Sequence, residues 1–286
     1  QGYEYREWVS GYPLGENLAS RASVEHKFDY GRVRLWGSIT FILAAYIGGW
    51  VVERSGDEAI LWMIIAAMVA AFVAGFSLPR RPARDRPSVR FPAFVLLRQK
   101  SFLVFIAAVS LLQSSHAVLY VFGTIHWREA GLPDDIIGAL WAEGVIAEII
   151  LFAFSGAVLA RLGPIRLMYI AAIAGLVRWL VLANTTDLAV LFATQWLHGL
   201  TFGAAHLAAM HYMLQTVPEH MSASAQSLYS GFAIGLVMGL TMLVAGGLYE
   251  NFSGGAFYAM MGLSAAGGAA VIWLARLKEP TQAHST

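Results

Sequence analysis

Residues 101–122 read SFLVFIAAVSLLQSSHAVLYVF and contain no Asp, Glu, Lys or Arg. A helix that crosses a membrane needs about 20 mostly apolar residues, because only a helix or a closed barrel satisfies its own backbone hydrogen bonds in lipid. The segment therefore predicts a transmembrane helix. Seven further runs have the same character, and the eight predicted spans cover residues 35–52, 59–78, 101–122, 136–160, 165–183, 188–214, 223–249 and 254–274.

The composition of the whole chain supports a membrane protein. Of its 286 residues 58% are apolar and 13% are charged, against about 45–50% and about 25% in soluble domains. A net charge of +1 excludes a nucleic-acid binder that works by neutralising phosphates. The absence of Cys excludes disulfides, thiolate metal sites and cysteine nucleophiles. GxxxxGK[ST] and HExxH motifs are also absent, which excludes a transport ATPase subunit that carries its own motor but not a membrane subunit that borrows one. We expect no cofactor, no metal and no enzyme activity.

The connectors between the spans predict the orientation in the membrane. Residues 79–100 hold six Arg and one Lys against a single acid, Asp85, and Pro82, Pro87 and Pro92 disfavour one continuous helix there. Cytoplasmic loops carry such an excess of Lys and Arg. The basic connector 161–166 and the basic tail fall on the same side, whereas the opposite connectors are acidic or neutral. We therefore predict a multi-pass protein of a bacterial-type inner (plasma) membrane with its linker and C-terminus in the cytoplasm.

The predicted organisation is lopsided, with two spans before the basic linker and six after it. Secondary transporters commonly pair two six-helix halves across a cytoplasmic linker. We therefore expect that about four helices of a first half are missing, and a complete eight-span protein is the alternative. The predicted parts are a cytoplasmic segment with the end of a truncated helix (1–34), the last two helices of the first half (35–78), the linker (79–100), the six-helix second half (101–275) and a cytoplasmic tail (276–286).

Polar and ionisable side chains inside the predicted spans are the candidate site residues. Such groups are costly in lipid, so they usually face a cavity or a partner. Glu148, Arg178 and His198 are the strongest set, because proton-coupled transport requires an acid, a fixed cation and a group that titrates near neutral pH. The further candidates are His116, Gln113, Glu143 and His206 inside spans, and Arg34 and Trp36 at the mouth of the first span.

Several candidates also have a structural interpretation that the sequence leaves open. Arg178 is suited to an ion pair that holds helices together, and His206 to a packed, hydrogen-bonded interior position. Glu143 and Trp36 are suited to solvated or interfacial positions at the membrane surface. Glycines that permit close approach or bending of the last two spans, with a small weight for function, are Gly235, Gly239, Gly246, Gly247, Gly262, Gly267 and Gly268.

Several motifs carry a family resemblance over about residues 13–275. They are Tyr30-Gly-Arg-Val-Arg-Leu-Trp-Gly-Ser38, Leu111-Leu-Gln-Ser-Ser-His-Ala117, the stretch 140–152, Val177-Arg-Trp179, Leu197-His198, His206-Leu-Ala-Ala-Met210 and Gly247-Leu-Tyr249. In these the chain resembles the major facilitator superfamily, and within it the proton symporters that include phenylpropionate permease and, more remotely, lactose permease. The resemblance implies an all-α polytopic helical bundle with twelve spans, of which the first four are absent here.

The resemblance also implies roles for individual residues. It places a substrate-contacting acid–Arg pair on Glu16 and Arg34, and an Arg and a His of the later spans on Arg178 and His198. Two departures from lactose permease stand out: Thr201 occupies the position of a proton-releasing carboxylate, and Val145 that of an acidic coupling residue. Glu148, one turn after Val145, is then the best candidate proton carrier. We expect it inside the bundle, within reach of Arg178 or His198.

These observations together predict a secondary active transporter that couples a proton to a small organic solute. The best guess for the solute is an aromatic or other organic acid such as phenylpropionate. Alternatives are a sugar or nucleoside proton symporter, a polytopic membrane enzyme or assembly factor, and a remnant that does not transport. The expected partners are the solute, protons and the lipid bilayer, without nucleic acid, and we expect a monomer.

Overall fold

The computed structural model describes residues 58–76 and 91–277 without a gap, together with residues 36, 37, 39, 40, 43, 44, 47, 48, 50, 51 and 54–56. Among these residues there are helices and turns and no strand. The all-α prediction is therefore confirmed. The chain divides into two compact units, Gln1–Arg90 and Phe91–Thr286.

In the first unit the continuous helix α1 spans Glu58–Phe76. It begins after Gly56, whose φ of 77° suits glycine, and an acid in its first turn complements the helix dipole. None of its residues is buried within the structure as described. A helix that is apolar on all sides and uncovered is suited to lipid contact. The described residues of the predicted span 35–52 are all helical.

Over its described residues, 91–277, the second unit consists of ten α-helices and four short segments of other helical types. The α-helices are α2 Pro92–Arg98, α3 Lys100–Ser114, α4 Ala117–Glu129, α5 Asp134–Ala153, α6 Ser155–Asn184, α7 Leu188–Gln195, α8 Ala204–Thr216, α9 Ser222–Leu228, α10 Met238–Phe252 and α11 Ala256–Arg276. The other segments are two π-helical ones, Gly199–Gly203 and Tyr229–Val237, and two 3₁₀ turns, Glu219–Met221 and Ser253–Gly255.

The described helices account for the predicted spans from residue 59 onward. Within the part of the chain that the structure describes, six stretches are long and apolar enough to cross a membrane. The last of them, Glu219–Arg276, contains the turn Ser253–Gly255 and so holds two predicted spans. Helix α6 is two helices joined at Gly163, which has φ 68° and precedes Pro164. The helix breaks here because Pro cannot continue the hydrogen-bond ladder of the preceding helix. The break lies within the predicted connector 161–166.

Two features of the second unit bring polar residues of different spans together. Helices α3 and α4 are separated by a turn at Ser115 and His116, where His116 N donates to the Gln113 carbonyl at 3.2 Å. The π-helical segment Gly199–Gly203 packs against α5 and α6. Helix α11 packs on both α3 and α6. The turn, the middle of α6 and the π-helical segment consequently meet in the interior of the unit.

Candidate functional site

Arg178 lies in the interior of the second unit and is 1% exposed. Its Nη1 donates to Thr201 Oγ1 at 2.9 Å and lies 3.0 Å from His198 Nδ1. Its Nη2 donates to Gln195 Oε1 at 2.6 Å. Since burial of a guanidinium is costly unless its donors are satisfied, these three polar side chains explain how the cation is held between α6 and the α7–α8 region.

Two buried donors of this cluster lack a partner among the described residues. Within the described part of the chain, Arg178 Nε and Gln195 Nε2 have no hydrogen-bond partner. Gln195 is 2% exposed. An unsatisfied buried donor costs about 1–3 kcal/mol, and more when the group is charged. The cluster therefore has more hydrogen-bond donors than acceptors. A carboxylate or another anion would supply the missing acceptors.

His116 extends the cluster to the turn between α3 and α4. Its Nε2 lies 3.0 Å from Thr201 Oγ1, and its Nδ1 lies 3.0 Å from the Gln113 carbonyl oxygen. The rings of His116 and His198 meet edge to face with centroids 5.7 Å apart. Three residues predicted from different spans, His116, Arg178 and His198, are thus brought together, with the hydroxyl of Thr201 bonded to the side chains of His116 and Arg178.

Trp179 holds the His116 turn against α11. Its indole N–H donates to Ser115 Oγ at 3.2 Å and to Ser264 Oγ at 3.0 Å. The indole also meets the His116 ring edge to face at 5.0 Å. Trp179 is fully buried. Trp179 is therefore an internal packing residue that fixes the position of His116.

The backbone around Gly199 brings α5 close to the cluster. A Cβ at Gly199 would lie 2.7 Å from the Ala147 carbonyl oxygen, and one at Gly144 would lie 3.4 Å from His198 side-chain atoms. Segments of π-helix occur frequently at functional sites, where they change the direction of side chains. Here the segment Gly199–Gly203 presents Thr201 to Arg178 while its glycines admit α5.

Glu148 of α5 is buried, with 7% of its surface exposed. A Cβ on Gly203 would lie 3.3 Å from Glu148 Cγ, so the side chain packs against the π-helical segment that carries Thr201. This places an acid in the helix interface next to the cluster. Its role as the proton carrier stays a prediction.

A second polar group lies next to the first. Tyr229 OH lies 3.1 Å from His206 Nδ1 and accepts from Gln113 Nε2 at 3.4 Å. The Phe202 ring lies parallel to both His198 and His206, with centroids 5.4 Å and 6.5 Å away. Phe202 therefore separates the two polar groups along one helix face, and Gln113 and His206 belong to the second group.

The other predicted site residues lie elsewhere. Glu143 is partly exposed on α5. Trp36 is 66% exposed, as expected of either an interfacial or a solute-contacting ring. Glu16 and Arg34 lie outside the described residues, so their pairing stays a prediction.

The sequence pointed less clearly to Gln195 and Thr201. Together with His198 they recur every three residues, a spacing that places them near one face of a helix. This spacing was the feature of the sequence that could have identified them. The hydrogen bonds show that all three residues contact Arg178.

Comparison with known proteins identifies the family to which the chain is similar. Residues 8–260 match the family described as "MFS_1 like family". The chain is 34% identical over 253 residues to the "Probable 3-phenylpropionic acid transporter" of Escherichia coli (strain K12), covering 87% of this chain and 66% of that protein. It is 28% identical over 274 residues to the "Maltose permease" of Geobacillus stearothermophilus, covering 94% and 68%. It is also 25% identical over 258 residues to a "Putative nucleoside transporter" of Escherichia coli (strain K12), covering 79% and 60%.

The chain spans about two thirds of the length of these curated relatives. They are transporters and permeases, which confirms the prediction that the family is not one of enzymes. The match to the family over most of the chain and the apolar helices together establish a multi-pass membrane protein of this fold. The resemblance to the major facilitator superfamily is confirmed, and the chain belongs to the MFS_1 like family.

Proposed function

We propose that the protein transports a small organic acid together with a proton, and that the acid is bound by Arg178 and Gln195. The observation that carries this proposal is the pair of buried donors, Arg178 Nε and Gln195 Nε2, that find no partner among the described residues. A carboxylate offers two acceptor oxygens and binds a guanidinium through strong, charge-assisted hydrogen bonds. A neutral solute would bring no negative charge to the cation of Arg178.

Aromatic side chains next to the cluster favour an aromatic acid. The Tyr120 ring lies with its centroid 6.4 Å from that of His198 and 6.3 Å from that of Trp141. Such rings bind flat apolar groups, so the acid group and the aromatic body of one solute find suitable partners near each other. The relative described as a probable 3-phenylpropionic acid transporter suggests phenylpropionate as the first solute to test.

The proton has candidate binding groups in the same region, namely His116, His198 and Glu148. Transporters of this kind expose a midplane site alternately to either side by rocking one helix bundle against another. We propose that the burial of Arg178 and Gln195 is relieved in the conformation that admits the solute. We further propose a monomer in an inner membrane, with the linker 79–100 and the C-terminus in the cytoplasm.

A sugar or nucleoside is the second candidate solute. The similarity to a maltose permease extends over 94% of this chain, which is more of the chain than the similarity to the probable phenylpropionic acid transporter covers. A sugar would use the neutral polar groups of the cluster, such as Thr201 and Gln195. The two candidates therefore differ in whether the solute must carry a negative charge.

Uptake by the full-length protein in proteoliposomes tests this difference. The outside is made acidic, and the solutes are 3-phenylpropionate, its neutral amide, maltose and uridine. We expect accumulation of 3-phenylpropionate that a protonophore abolishes, with no accumulation of the amide. Because weak acids also diffuse through bilayers, protein-free liposomes and an Arg178→Ala variant set the baseline. Accumulation of maltose or uridine with 3-phenylpropionate at the baseline would overturn the proposal.

A further inference from the structure

The hydrogen-bond directions around Thr201 follow from which atoms are able to donate. The Gln113 carbonyl oxygen accepts, so the His116 nitrogen bonded to it, Nδ1, carries a hydrogen. Neutral His116 therefore has a bare Nε2, which faces the Thr201 hydroxyl at 3.0 Å. Arg178 is always a donor, so Thr201 Oγ1 and His198 Nδ1 both accept from its Nη1.

The Thr201 hydroxyl has two acceptors within reach for its single hydrogen. One is His116 Nε2 at 3.0 Å, and the other is the His198 carbonyl oxygen at 3.4 Å. When His116 is neutral, the hydroxyl donates to Nε2. When Nε2 takes up a proton, it donates to Thr201 Oγ1, and the hydroxyl hydrogen rotates toward the carbonyl. A hydroxyl oxygen accepts two hydrogen bonds, so the bond from Arg178 is kept.

His198 does not have this freedom. Protonation of its Nδ1 would set an N–H against the Arg178 Nη1 donor at 3.0 Å, which breaks that hydrogen bond and brings two cations together. Of the two histidines, His116 alone takes up a proton at its cluster-facing nitrogen without loss of a bond to Arg178.

We propose that His116 Nε2 is the proton-binding atom of the transport cycle and that Thr201 is its positioning residue, through rotation of its hydroxyl. This inference rests on the proposed function. It assigns the proton to a histidine, whereas the sequence favoured Glu148.

The charges around His116 couple the proton to the solute. Arg178 on α6 is joined to His116 through one hydroxyl, and His198 and Tyr120 contact its ring. Trp179 and Phe202 also contact the ring and are uncharged. An imidazolium next to the guanidinium is repelled unless an anion lies between or beside them. A bound carboxylate removes this repulsion, so the proton and the anion favour each other's binding, and the linkage is reciprocal.

Proton uptake on solute binding tests the inference. 3-Phenylpropionate is titrated calorimetrically into the purified full-length protein at neutral pH, in two buffers with different ionisation enthalpies. The difference in heat gives the protons taken up per solute bound. For the wild type we expect about one proton, because the linkage makes anion and proton bind together. For His116→Gln and Thr201→Val we expect an uptake near zero with weaker binding.

Thr201→Ser is the matched control, since it keeps the hydroxyl and should retain the proton uptake of the wild type. Undiminished uptake by His116→Gln overturns the inference, and its disappearance in Glu148→Gln would assign the proton to the carboxyl. Loss of solute binding in Thr201→Val but not in Thr201→Ser would make the hydroxyl part of the solute site, which also overturns it. A wild type that does not bind the acid, or binds it without proton uptake, contradicts the proposed function itself.

Discussion

Arg178 holds three acceptors with two of its nitrogens, and this geometry depends on the shape of guanidinium. Nη1 reaches His198 and Thr201 while Nη2 reaches Gln195. A lysine ammonium is a point charge on a flexible chain and does not reproduce a planar fork. A positive charge alone is therefore insufficient to hold α6, α7 and the π-helical segment Gly199–Gly203 in register.

Arg178→Lys should consequently lower 3-phenylpropionate binding by about ten-fold or more, the equivalent of one lost charge-assisted hydrogen bond. Equilibrium binding to the purified protein measures the effect. Arg128→Lys is the matched control, because Arg128 pairs with Asp134 at 2.9 Å where both side chains are more than half exposed, and exposed pairs contribute little. Equal affinity of wild type and Arg178→Lys would leave Arg178 as a structural cation.

Trp179→Phe should lower stability because it removes one N–H that serves two buried hydroxyls. The indole donates to Ser115 and Ser264, and each hydroxyl would lose a partner in the interior. A free-energy loss of about 1–3 kcal/mol is expected. It is measured as a lower thermal unfolding midpoint of the protein in detergent. Trp273→Phe is the control, since Trp273 is 51% exposed; a comparable loss in both variants would contradict the role assigned to the hydrogen bonds.

At the residue scale the sequence singled out Arg178 and His198 of the buried cluster and pointed less clearly to Gln195 and Thr201. Arg178 and His198 stand out because ionisable groups in apolar spans are costly. Thr201 does not stand out, since a threonine in a helix is able to bond its own backbone. The hydrogen-bond directions that distinguish His116 from His198 require coordinates, because they depend on which atoms of distant spans meet.

Among the elements, the π-helical segment Gly199–Gly203 decides how closely α5 approaches the site. A Cβ on Gly199 would meet the backbone carbonyl of Ala147 at 2.7 Å, and backbone atoms have little room to move. The sequence alone gave no sign of this contact. The glycines chosen from the sequence behave unevenly: Gly267 is tight against Leu112, whereas no described atom lies within 4 Å of a Cβ on Gly239 or Gly262. Close approach depends on the partner helix, which sequence spacing does not name.

Gly199→Ala should therefore destabilise the second unit by about 1–3 kcal/mol, as overpacked interiors do, and should also reduce transport by displacing α5. Gly239→Ala is the matched change in α10, where the added methyl meets no described atom and a helical alanine gains about 0.5–1 kcal/mol over glycine. Thermal unfolding of both variants in detergent provides the comparison. A Gly199→Ala protein as stable as Gly239→Ala would show that the interface relaxes.

For the whole molecule, the spans were predictable because hydropathy and charge are local properties. A run of about 20 apolar residues is long enough to cross the membrane whatever its neighbours are. The break in α6 likewise depends on two adjacent residues, Gly163 and Pro164. The packing of α11 on α3 and α6 depends on side chains far apart in sequence. For that reason the sequence predicted the helices with little error and the hydrogen-bonded cluster only in part.

The orientation of the whole molecule is open to a direct test because the chain has no Cys. The excess of Arg in residues 79–100 and 161–166 predicts that these connectors face the cytoplasm. Ala130 follows α4 and Ala160 precedes the break in α6, and both are exposed. The single substitutions Ala130→Cys and Ala160→Cys thus report on the two ends of the span between them. A membrane-impermeant maleimide applied to intact cells should label Ala130→Cys alone, and permeabilised cells should label both. The reverse pattern would invert the proposed topology, and labelling of both in intact cells would contradict a membrane crossing by residues 136–160, since one span cannot begin and end on the same side.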